Sequence, residues 1–453
     1  MKLSMLLSPL SPLLSPLRTY LLTPLRSLSM SAIGGSAGGI GSPLPRAPEH
    51  GSCIYLDYQA TTPVWPEVAA AAEPFLRYHW GNPSSGHAFA RPCAAAVNSA
   101  RESVATLIGA KPDEILFTAC GSEADNHAIM GALEAEEARR RAQSGGATPT
   151  APPPHVVTSN IEHPAIVECL EALKASGRLC VTYVAVDSEG LVAAGAVAAA
   201  LTEHTILVSI MHSNNEVGSI QPVSEIAKGI ATSAHPNVLF HTDAAQSIAK
   251  VDVDVKALGV DLMTIVGHKF GAPKGVAALY IRSGVTLPKL LHGGGQEGGR
   301  RAGTECVVLL AALGEASRLA VAEAAPLRAH MRTTRDLLAT LLINGLPEGS
   351  TLVHGPADGA HRLPNTLSIG LREIKSSVLL ARLSEKLAAS AGAACHTTQA
   401  SVSSVLKAMD VPLEYAIGTL RLSTGRHTTE AEVREAAKLI IEEAHRQWAE
   451  DKA

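Results

Sequence analysis

The chain has 453 residues, and 38 Lys and Arg residues against 42 Asp and Glu residues give it a net charge of −4. This length allows more than one domain and a large buried core, and the balanced charge gives no indication of a nucleic-acid partner. No apolar run reaches the roughly 18 residues of a membrane helix. The seven cysteines include no C-x-x-C pair, which excludes the common zinc and iron–sulfur spacings and is typical of free thiols in a reducing compartment.

Residues 1–49 differ in composition from the rest of the chain. Serine, leucine and proline dominate, and the first carboxylate is Glu49, after the basic residues Lys2, Arg18, Arg26 and Arg46. This composition is typical of an organelle transit peptide, so it predicts a mitochondrial or plastid protein. A disordered tail on a cytoplasmic protein and a start at Met30 are the alternatives.

Short apolar runs alternate with helical stretches from Ile54 onward. Most runs are uninterrupted, which is typical of strands buried on both faces of a sheet. The alternation predicts an α/β domain with a mainly parallel sheet. At the C-terminus, Thr429 with Glu432 three residues later predicts a capped amphipathic helix. The apolar runs are EILFTA (114–119), HVVTSN (155–160), TILVSIM (205–211), VLFHTD (238–243), LMTIVG (262–267) and VAALYI (276–281).

Polar clusters follow five of these predicted strands. In open α/β sheets, ligands bind at the carboxyl ends of the strands, so we expect the clusters to form one site. Each cluster alone also fits a turn, a helix cap or a surface residue. The clusters are CGSEADN (120–126), NIEHPA (160–165), HSNNEVG (212–218), HTDAAQS (241–247) and GHKFG (267–271).

Asp243 and Lys269 end two consecutive predicted strands and suggest a specific chemistry. A buried carboxylate beside an aromatic nitrogen keeps that nitrogen protonated, and a lysine amine forms an imine with an aldehyde. Pyridoxal 5'-phosphate needs both groups from a protein. Free lysine has a pKa of about 10.4, so burial or a nearby cation such as His268 must lower the pKa of Lys269.

The other clusters supply further candidates for the same cofactor. The N–H groups of Gly121 and Ser122, at a strand-to-helix junction, predict a phosphate site. His163 is predicted to stack on the ring and to act in catalysis. Asn215 and Gln246 are predicted to bind the hydroxyl oxygen of the ring, and Asn215 also to bind the substrate. Each of these residues taken alone has an ordinary structural explanation.

The motifs together resemble the cysteine desulfurase-type enzymes, within the class V aminotransferases. The resemblance covers about residues 53 to 447, and the matching motifs are YLDYQATTP (55–63), GNPSS (81–85), SEADN (122–126), EHPAI (162–166), NNEVG (214–218), HTDAAQS (241–247), GVDLMTIVGHKFGAPKGVAALYI (259–281), GGGQEGGRRAGTE (293–305), RLPNT (362–366), GAACH (392–396) and RLSTGR (421–426). It implies the fold of the fold-type I pyridoxal-phosphate-dependent transferases, with a mainly parallel sheet, helices on both faces and a smaller α+β domain. The implied boundaries are 65–321 for the large domain and 50–64 with 322–453 for the small one.

The resemblance also implies roles for individual residues. Lys269 anchors the cofactor and moves the substrate's Cα proton, and Cys395 is the reactive thiol that attacks sulfur or handles selenium. Arg421 binds the carboxylate of the amino-acid substrate through a bidentate contact, and Thr304 reaches the cofactor phosphate of a partner subunit. The protein is therefore expected to be a homodimer, with no membrane association, and to give up its selenium or sulfur to an acceptor protein.

Two branches of this family differ in substrate. Val266 stands where desulfurases usually have a serine or threonine, and His396 follows the reactive cysteine. The motifs TIVGHKF (264–270), GGGQE (293–297) and GAACH (392–396) also resemble the selenocysteine lyase branch. These features together favour selenocysteine lyase, which releases selenium from selenocysteine and leaves alanine. Cysteine desulfurase, with a persulfide on Cys395, is the first alternative. A class V aminotransferase that does not need Cys395 is the second, and a catalytically inactive scaffold is the third.

Overall fold

The computed structural model of the chain describes residues 39–43, 51–144, 152–235, 237–394 and 401–451. The strands are β1 (Ile54–Tyr55), β2 (Ile115–Thr118), β3 (His155–Ser159), β4 (Cys180–Val184), β5 (Thr205–Ser209), β6 (Leu239–Asp243), β7 (Leu262–Val266), β8 (Ala277–Ile281), β9 (Thr351–His354), β10 (Thr366–Leu371), β11 (Leu387–Ala388), β12 (Ser390–Ala391), β13 (Ala393–Ala394), β14 (Ser401–Val402) and β15 (Thr419–Ser423).

The helices are α1 (Pro66–Arg77), α2 (Ala90–Leu107), α3 (Gly121–Gln143), α4 (Pro164–Ala175), α5 (Ala194–Ala199), α6 (Val223–Ala231), α7 (Val255–Leu258), α8 (Val307–Ala322), α9 (Ala324–Gly345), α10 (Ser376–Leu383), α11 (Ser404–Ala408), α12 (Leu413–Ala416) and α13 (Glu430–Glu450). Within the described residues, no helix has the length and apolar character needed to cross a membrane.

A seven-stranded sheet forms the centre of the fold, in the order β2-β8-β7-β6-β5-β3-β4. The strand β8 is antiparallel to its neighbours β2 and β7, and the remaining pairs are parallel. The sheet is therefore mainly parallel, as the uninterrupted apolar runs predict. The edge strand β4 was not predicted, because its residues are alternately exposed and half-buried rather than uniformly apolar.

Helices cover both faces of this sheet. On β7, Leu262 packs in one apolar cluster with Leu133 of α3, whereas Met263 packs in another with Leu313 of α8. Successive side chains of a strand point to opposite faces, so this alternation shows that both faces are buried. Full burial of each such side chain contributes about 2 kcal/mol. The predicted fold class is confirmed.

A second, antiparallel sheet lies near the C-terminal part of the chain, in the order β12-β15-β10-β9. It shares an apolar cluster with α9, α10 and α13, which includes Leu338, Leu379, Leu420 and Ile440. The helix α13 begins with the predicted cap, because the Thr429 hydroxyl accepts from the Glu432 N–H at 3.2 Å. This sheet places β15, and with it Arg421, beside the carboxyl ends of the central strands. The exact domain boundaries stay a prediction.

Candidate active site

A cavity of about 390 Å³ lies at the carboxyl ends of the central strands. Its volume is that of a small-ligand site. The segments that follow β2, β3, β5, β6 and β7 all contribute to its lining, as does the strand β15. Of the predicted site residues, the cavity is lined by Gly121, Ser122, His163, Asn215, Asp243, Gln246, His268, Lys269 and Arg421.

Lys269 lies in a 3₁₀ turn that directly follows β7. Its Nζ donates hydrogen bonds to the carbonyl oxygens of Gln59, at 2.7 Å, and Ala60, at 2.9 Å. Burial lowers the pKa of Lys269 to about 8, and the nearby Arg421 guanidinium contributes to the shift. The amine is therefore neutral in a much larger fraction of molecules near pH 7.5 than a free lysine is.

The turn after Lys269 requires a glycine. Gly271 has φ 87°, and a Cβ at this position would lie 2.3 Å from Cδ2 of Trp65. A left-handed backbone and a close aromatic neighbour both exclude a larger residue. The sequence Lys269-Phe270-Gly271 thereby fixes the direction in which the lysine leaves the sheet.

The low pKa of Lys269 leads to an expected result for the cofactor-free protein. Only the neutral amine attacks an aldehyde, so cofactor uptake should become about fivefold faster between pH 7 and pH 8 and level off above pH 9. The change in absorbance on adding pyridoxal phosphate measures the rate. The control is lysine acetylated on its α-amino group, with the side-chain amine free. Its reaction keeps accelerating up to the side-chain pKa of about 10.4. A protein rate that follows the same pH course as this control would contradict the assignment.

Asp243 is the last residue of β6 and lies beside β7, where it pairs with Thr264. The carboxylate is buried and accepts one hydrogen bond, from the Ala245 N–H at 2.9 Å. Burial raises the pKa of Asp243, whereas the hydrogen bond from the Ala245 N–H and the positive charge of Lys269 act in the opposite direction. Among the described residues, no basic side chain forms an ion pair with it. A buried carboxylate without an ion-pair partner is suited to bind a protonated ring nitrogen of a ligand.

Gln246 and Asn215 provide amide groups at the same cavity. The Nε2 of Gln246 donates to the carbonyl of Gln59 at 3.0 Å, while its buried Oε1 has no hydrogen-bond partner among the described residues. Buried polar groups in native proteins are nearly always paired. An unpaired amide oxygen at a cavity therefore fits a ligand that brings a hydroxyl group.

The helix α3 begins at Gly121, directly after the cavity-lining Cys120. A Cβ at Gly121 would lie 2.7 Å from Cγ2 of Val266, so only glycine lets the helix start this close to β7. The first N–H groups of a helix have no partner within the helix and bear partial positive charge. Gly121 and Ser122 therefore form a site for the phosphate group.

His163 is the N-cap residue of α4, and its Nδ1 accepts a hydrogen bond from the Ala165 N–H at 3.1 Å. A nitrogen that accepts carries no proton, so the neutral ring has its proton on Nε2. Burial lowers the pKa of His163, which favours this neutral form. The ring lines the cavity and can hold or release a proton at Nε2.

Arg421 enters the cavity from β15, on the second sheet. Its Nη2 contacts Oδ1 of Asp57 at 3.2 Å and donates to the hydroxyl of Ser390 at 2.8 Å. Its buried Nε has no hydrogen-bond partner among the described residues. One part of the guanidinium is thus fixed by protein groups, and unused donors remain for a carboxylate.

Replacing Arg421 by lysine should therefore weaken substrate binding more than it slows turnover. We expect the Arg421→Lys enzyme to show a KM for its amino-acid substrate about 10 to 100 times higher, because lysine cannot form the bidentate contact. Steady-state kinetics measure this change. Arg372→Lys is the matched control, since Arg372 is about half exposed and pairs with surface glutamates. Equal effects of the two substitutions would contradict the role of Arg421.

The remaining predicted residues differ in position. The His268 ring contacts the Thr61 hydroxyl at 3.1 Å, and burial together with the charge of Lys269 lowers the pKa of His268 to about 4, so it is neutral. The prediction that His268 is the cation that lowers the pKa of Lys269 is therefore wrong, and Arg421 has that effect instead. Thr304 is exposed and does not line the cavity of its own chain. Cys395 lies outside the described residues, directly after β13.

Several residues at the cavity were not predicted. Gln59 and Ala60 bind Lys269 through their carbonyls, and Asp57 orients Arg421. All three belong to the YLDYQATTP motif, whose sequence indicates the family and no role for these residues. Asp125 also lines the cavity; its Oδ1 is buried without a hydrogen-bond partner among the described residues, and burial and the nearby Asp243 raise its pKa.

Comparisons with known proteins agree with this geometry. The family model for class-V aminotransferases matches residues 54–435. A cysteine desulfurase of Nostoc sp. is 40% identical over 392 residues, which cover 86% of this chain and 92% of that protein. A solved NifS-like protein is 35% identical with a TM-score of 0.77, covering 86% of this chain and 98% of that one. A solved structure of SspA in complex with cysteine is 32% identical with a TM-score of 0.67, and the match covers 83% of this chain and 100% of that one.

The donors at the cavity fit the cofactor of this family. Lys269 offers an amine, Asp243 a buried carboxylate, Gln246 an unpaired amide oxygen, and the start of α3 a phosphate site. The enzyme therefore depends on pyridoxal phosphate, as the sequence predicts. The chain belongs to the class-V aminotransferase family, and within it to the enzymes of the cysteine desulfurase type.

Proposed function

We propose that the protein is a cysteine desulfurase, which removes the sulfur of cysteine and leaves alanine. The observation that carries this proposal is the similarity to the Nostoc desulfurase over 92% of that protein's length. The complex of the similar SspA with cysteine also supports an amino-acid substrate of this size. Arg421, with unused donors next to Lys269, supplies the carboxylate site that such a substrate needs.

The residues at the cavity divide the reaction between them. Bound pyridoxal phosphate supplies an electron-accepting ring conjugated with the substrate's amino group. Arg421 binds the substrate carboxylate and thereby orients the Cα–H bond. Asp243 would keep the ring nitrogen protonated, and the amine of Lys269, once the substrate's amino group has displaced it from the cofactor, would remove the Cα proton. His163 can exchange a further proton at Nε2.

The sulfur step is assigned to Cys395 by family resemblance. Its thiolate attacks the γ-sulfur of the substrate, and a sulfur–sulfur bond forms as the bond from Cβ to sulfur breaks. The electron pair of the broken bond stays with Cβ, which takes up a proton to become the methyl group, and Lys269 returns a proton to Cα to give alanine. The persulfide on Cys395 then passes its outer sulfur to the thiol of an acceptor.

Selenocysteine lyase, which the sequence motifs favour, is the second candidate. One described residue supports it: Val266 lines the cavity against Gly121, where desulfurases usually have a hydroxyl group. The Nostoc cysteine desulfurase and the complex of SspA with cysteine point to cysteine instead, so the lyase has less support.

Detection of the persulfide tests the desulfurase proposal. The holoenzyme is incubated with cysteine, its thiols are blocked by alkylation, and its peptides are examined by mass spectrometry. We expect an additional sulfur on the peptide that contains Cys395 and none in the Cys395→Ser enzyme. The Cys180→Ser enzyme is the control, because Cys180 is an exposed thiol on the edge strand β4. Alanine formation without sulfur on Cys395 would contradict the proposed transfer.

We also propose that the enzyme is a homodimer. Thr304 is exposed in the single chain, and the exposed rings of Trp80 and Phe89 stack on each other with centroids 5.2 Å apart. Exposed aromatic pairs of this kind are typical of protein interfaces. Sedimentation of the holoenzyme tests the proposal, and a fully active monomer would contradict it. The organelle predicted from residues 1–49 stays a prediction.

A further inference from the structure

A second lysine, Lys250, lies directly behind the candidate active site. It is 4% exposed, and its Nζ donates to the carbonyl oxygens of Gln246, at 2.9 Å, and Lys269, at 3.3 Å. Among the described residues, no other group donates a hydrogen bond to either of these two carbonyl oxygens. Its amino group thus joins the turn after β6 to the turn after β7.

The backbone before Lys250 has an unusual conformation. Ala249 has φ 65°, in the left-handed region that residues other than glycine rarely adopt. Such a conformation persists only where surrounding contacts hold it in place. Ala249 is buried within the large apolar cluster, and the chain turns there immediately before the Lys250 side chain enters the interior.

The surroundings of Lys250 offer no acidic partner among the described residues. A cavity of about 30 Å³ separates Lys250 and Lys269 from Tyr58 and Arg426, and no carboxylate lines it. Burial lowers the pKa of Lys250 to about 7, and the positive charge of Lys269 contributes. The charge of Lys250 in turn helps to keep His268 neutral. A buried lysine without an acid is costly, which argues against a purely structural role.

We propose that Lys250 is a positioning residue for the cofactor lysine: its amino group ties the Lys269 backbone to the turn that carries Asp243 and Gln246. This inference rests on Lys269 as the cofactor lysine, as the proposed function does. It does not depend on which amino acid is the substrate.

Two variants of the holoenzyme test this role. Lys250→Met removes the hydrogen bonds and the charge, whereas Lys250→Gln keeps a donor without the charge. The absorbance of the bound cofactor changes when the nitrogen contributed by Lys269 loses its proton. We expect Lys250→Met to shift the pH of this change, because the Lys269 backbone is no longer held against the turn that carries Asp243, and Lys250→Gln to shift it less, because a donor remains. We expect the cofactor to leave Lys250→Met about tenfold faster than the wild type, and Lys250→Gln more slowly than Lys250→Met.

Lys256→Met is the matched control, since Lys256 is exposed on α7, and it should match the wild type in both measurements. Circular dichroism establishes that each variant is folded, and Lys250→Gln decides the question if Lys250→Met does not fold. A purely structural lysine would change cofactor retention alone. The proposal would therefore be overturned if the absorbance of the bound cofactor changed at the wild-type pH in the folded variants, even if they lost the cofactor faster. Both measurements observe the cofactor, so they remain valid if the enzyme does not act on cysteine.

Discussion

Lys269→Ala should abolish the absorbance that the lysine-bound cofactor shows at the edge of the visible range. It should also lower turnover by roughly four orders of magnitude, since one residue both attaches the cofactor and removes the Cα proton. Among the described residues, Lys269 is the lysine that lines the cavity, while Lys250 is directed away to two backbone carbonyls. No second amine in the described site can therefore replace it.

The matched control for this substitution is Lys274→Ala. Lys274 is exposed five residues further along the same segment, so its loss should leave both the absorbance and the turnover unchanged. A Lys269→Ala enzyme that keeps the absorbance band would show that the cofactor is attached elsewhere.

Asp243→Asn should slow turnover by about 10- to 1000-fold while the protein remains folded. An amide carries no charge, so it cannot hold the ring nitrogen protonated. A neighbouring carboxylate raises the pKa of such a nitrogen by about one to three units. The exchange of the substrate's Cα proton with deuterated solvent measures the affected step directly. The side chains are nearly equal in size, so packing around β6 is preserved.

Asp358→Asn provides the comparison for this prediction, because Asp358 is exposed and far along the chain from the cavity-lining segments. We expect wild-type exchange in that variant. Wild-type exchange in Asp243→Asn as well would mean that Asp243 does not act on the ring nitrogen. Its buried carboxylate without an ion pair would then need another explanation.

The central sheet and the position of the site could be predicted because both follow from local patterns. Runs such as residues 262–267 are apolar throughout, which identifies strands covered on both faces. Asp243 and Lys269 end two such runs, and the structure places β6 and β7 side by side. The carboxyl ends of parallel strands share one edge, so polar residues after several strands had to meet there.

Contacts between distant parts of the chain could not be predicted in the same way. Gln59 and Ala60 precede the whole sheet in sequence, yet their carbonyls bind Lys269 across about 210 residues. Lys250 lies between two predicted site residues, but no local pattern shows that its side chain is buried. Thr304 lies outside its own cavity, and its predicted role depends on a partner subunit.

Local sequence features were also insufficient to identify the substrate. Val266 and His396 favoured selenocysteine lyase, although neither residue type binds selenium in preference to sulfur. The similarity to a cysteine desulfurase extends over 392 residues and therefore carries more weight than a few local motifs. Val266 can be accommodated in either enzyme, because Gly121 and Ser122 still supply N–H groups for the phosphate.

The most direct test of the proposed function is the formation of alanine by the purified holoenzyme from cysteine and from selenocysteine, measured in parallel at equal concentrations. We predict that cysteine is turned over at a rate comparable to or greater than that of selenocysteine, with the sulfur recovered from the enzyme by a thiol. A large preference for selenocysteine, with cysteine a poor substrate or an inhibitor, would contradict the desulfurase assignment and identify the enzyme as a selenocysteine lyase.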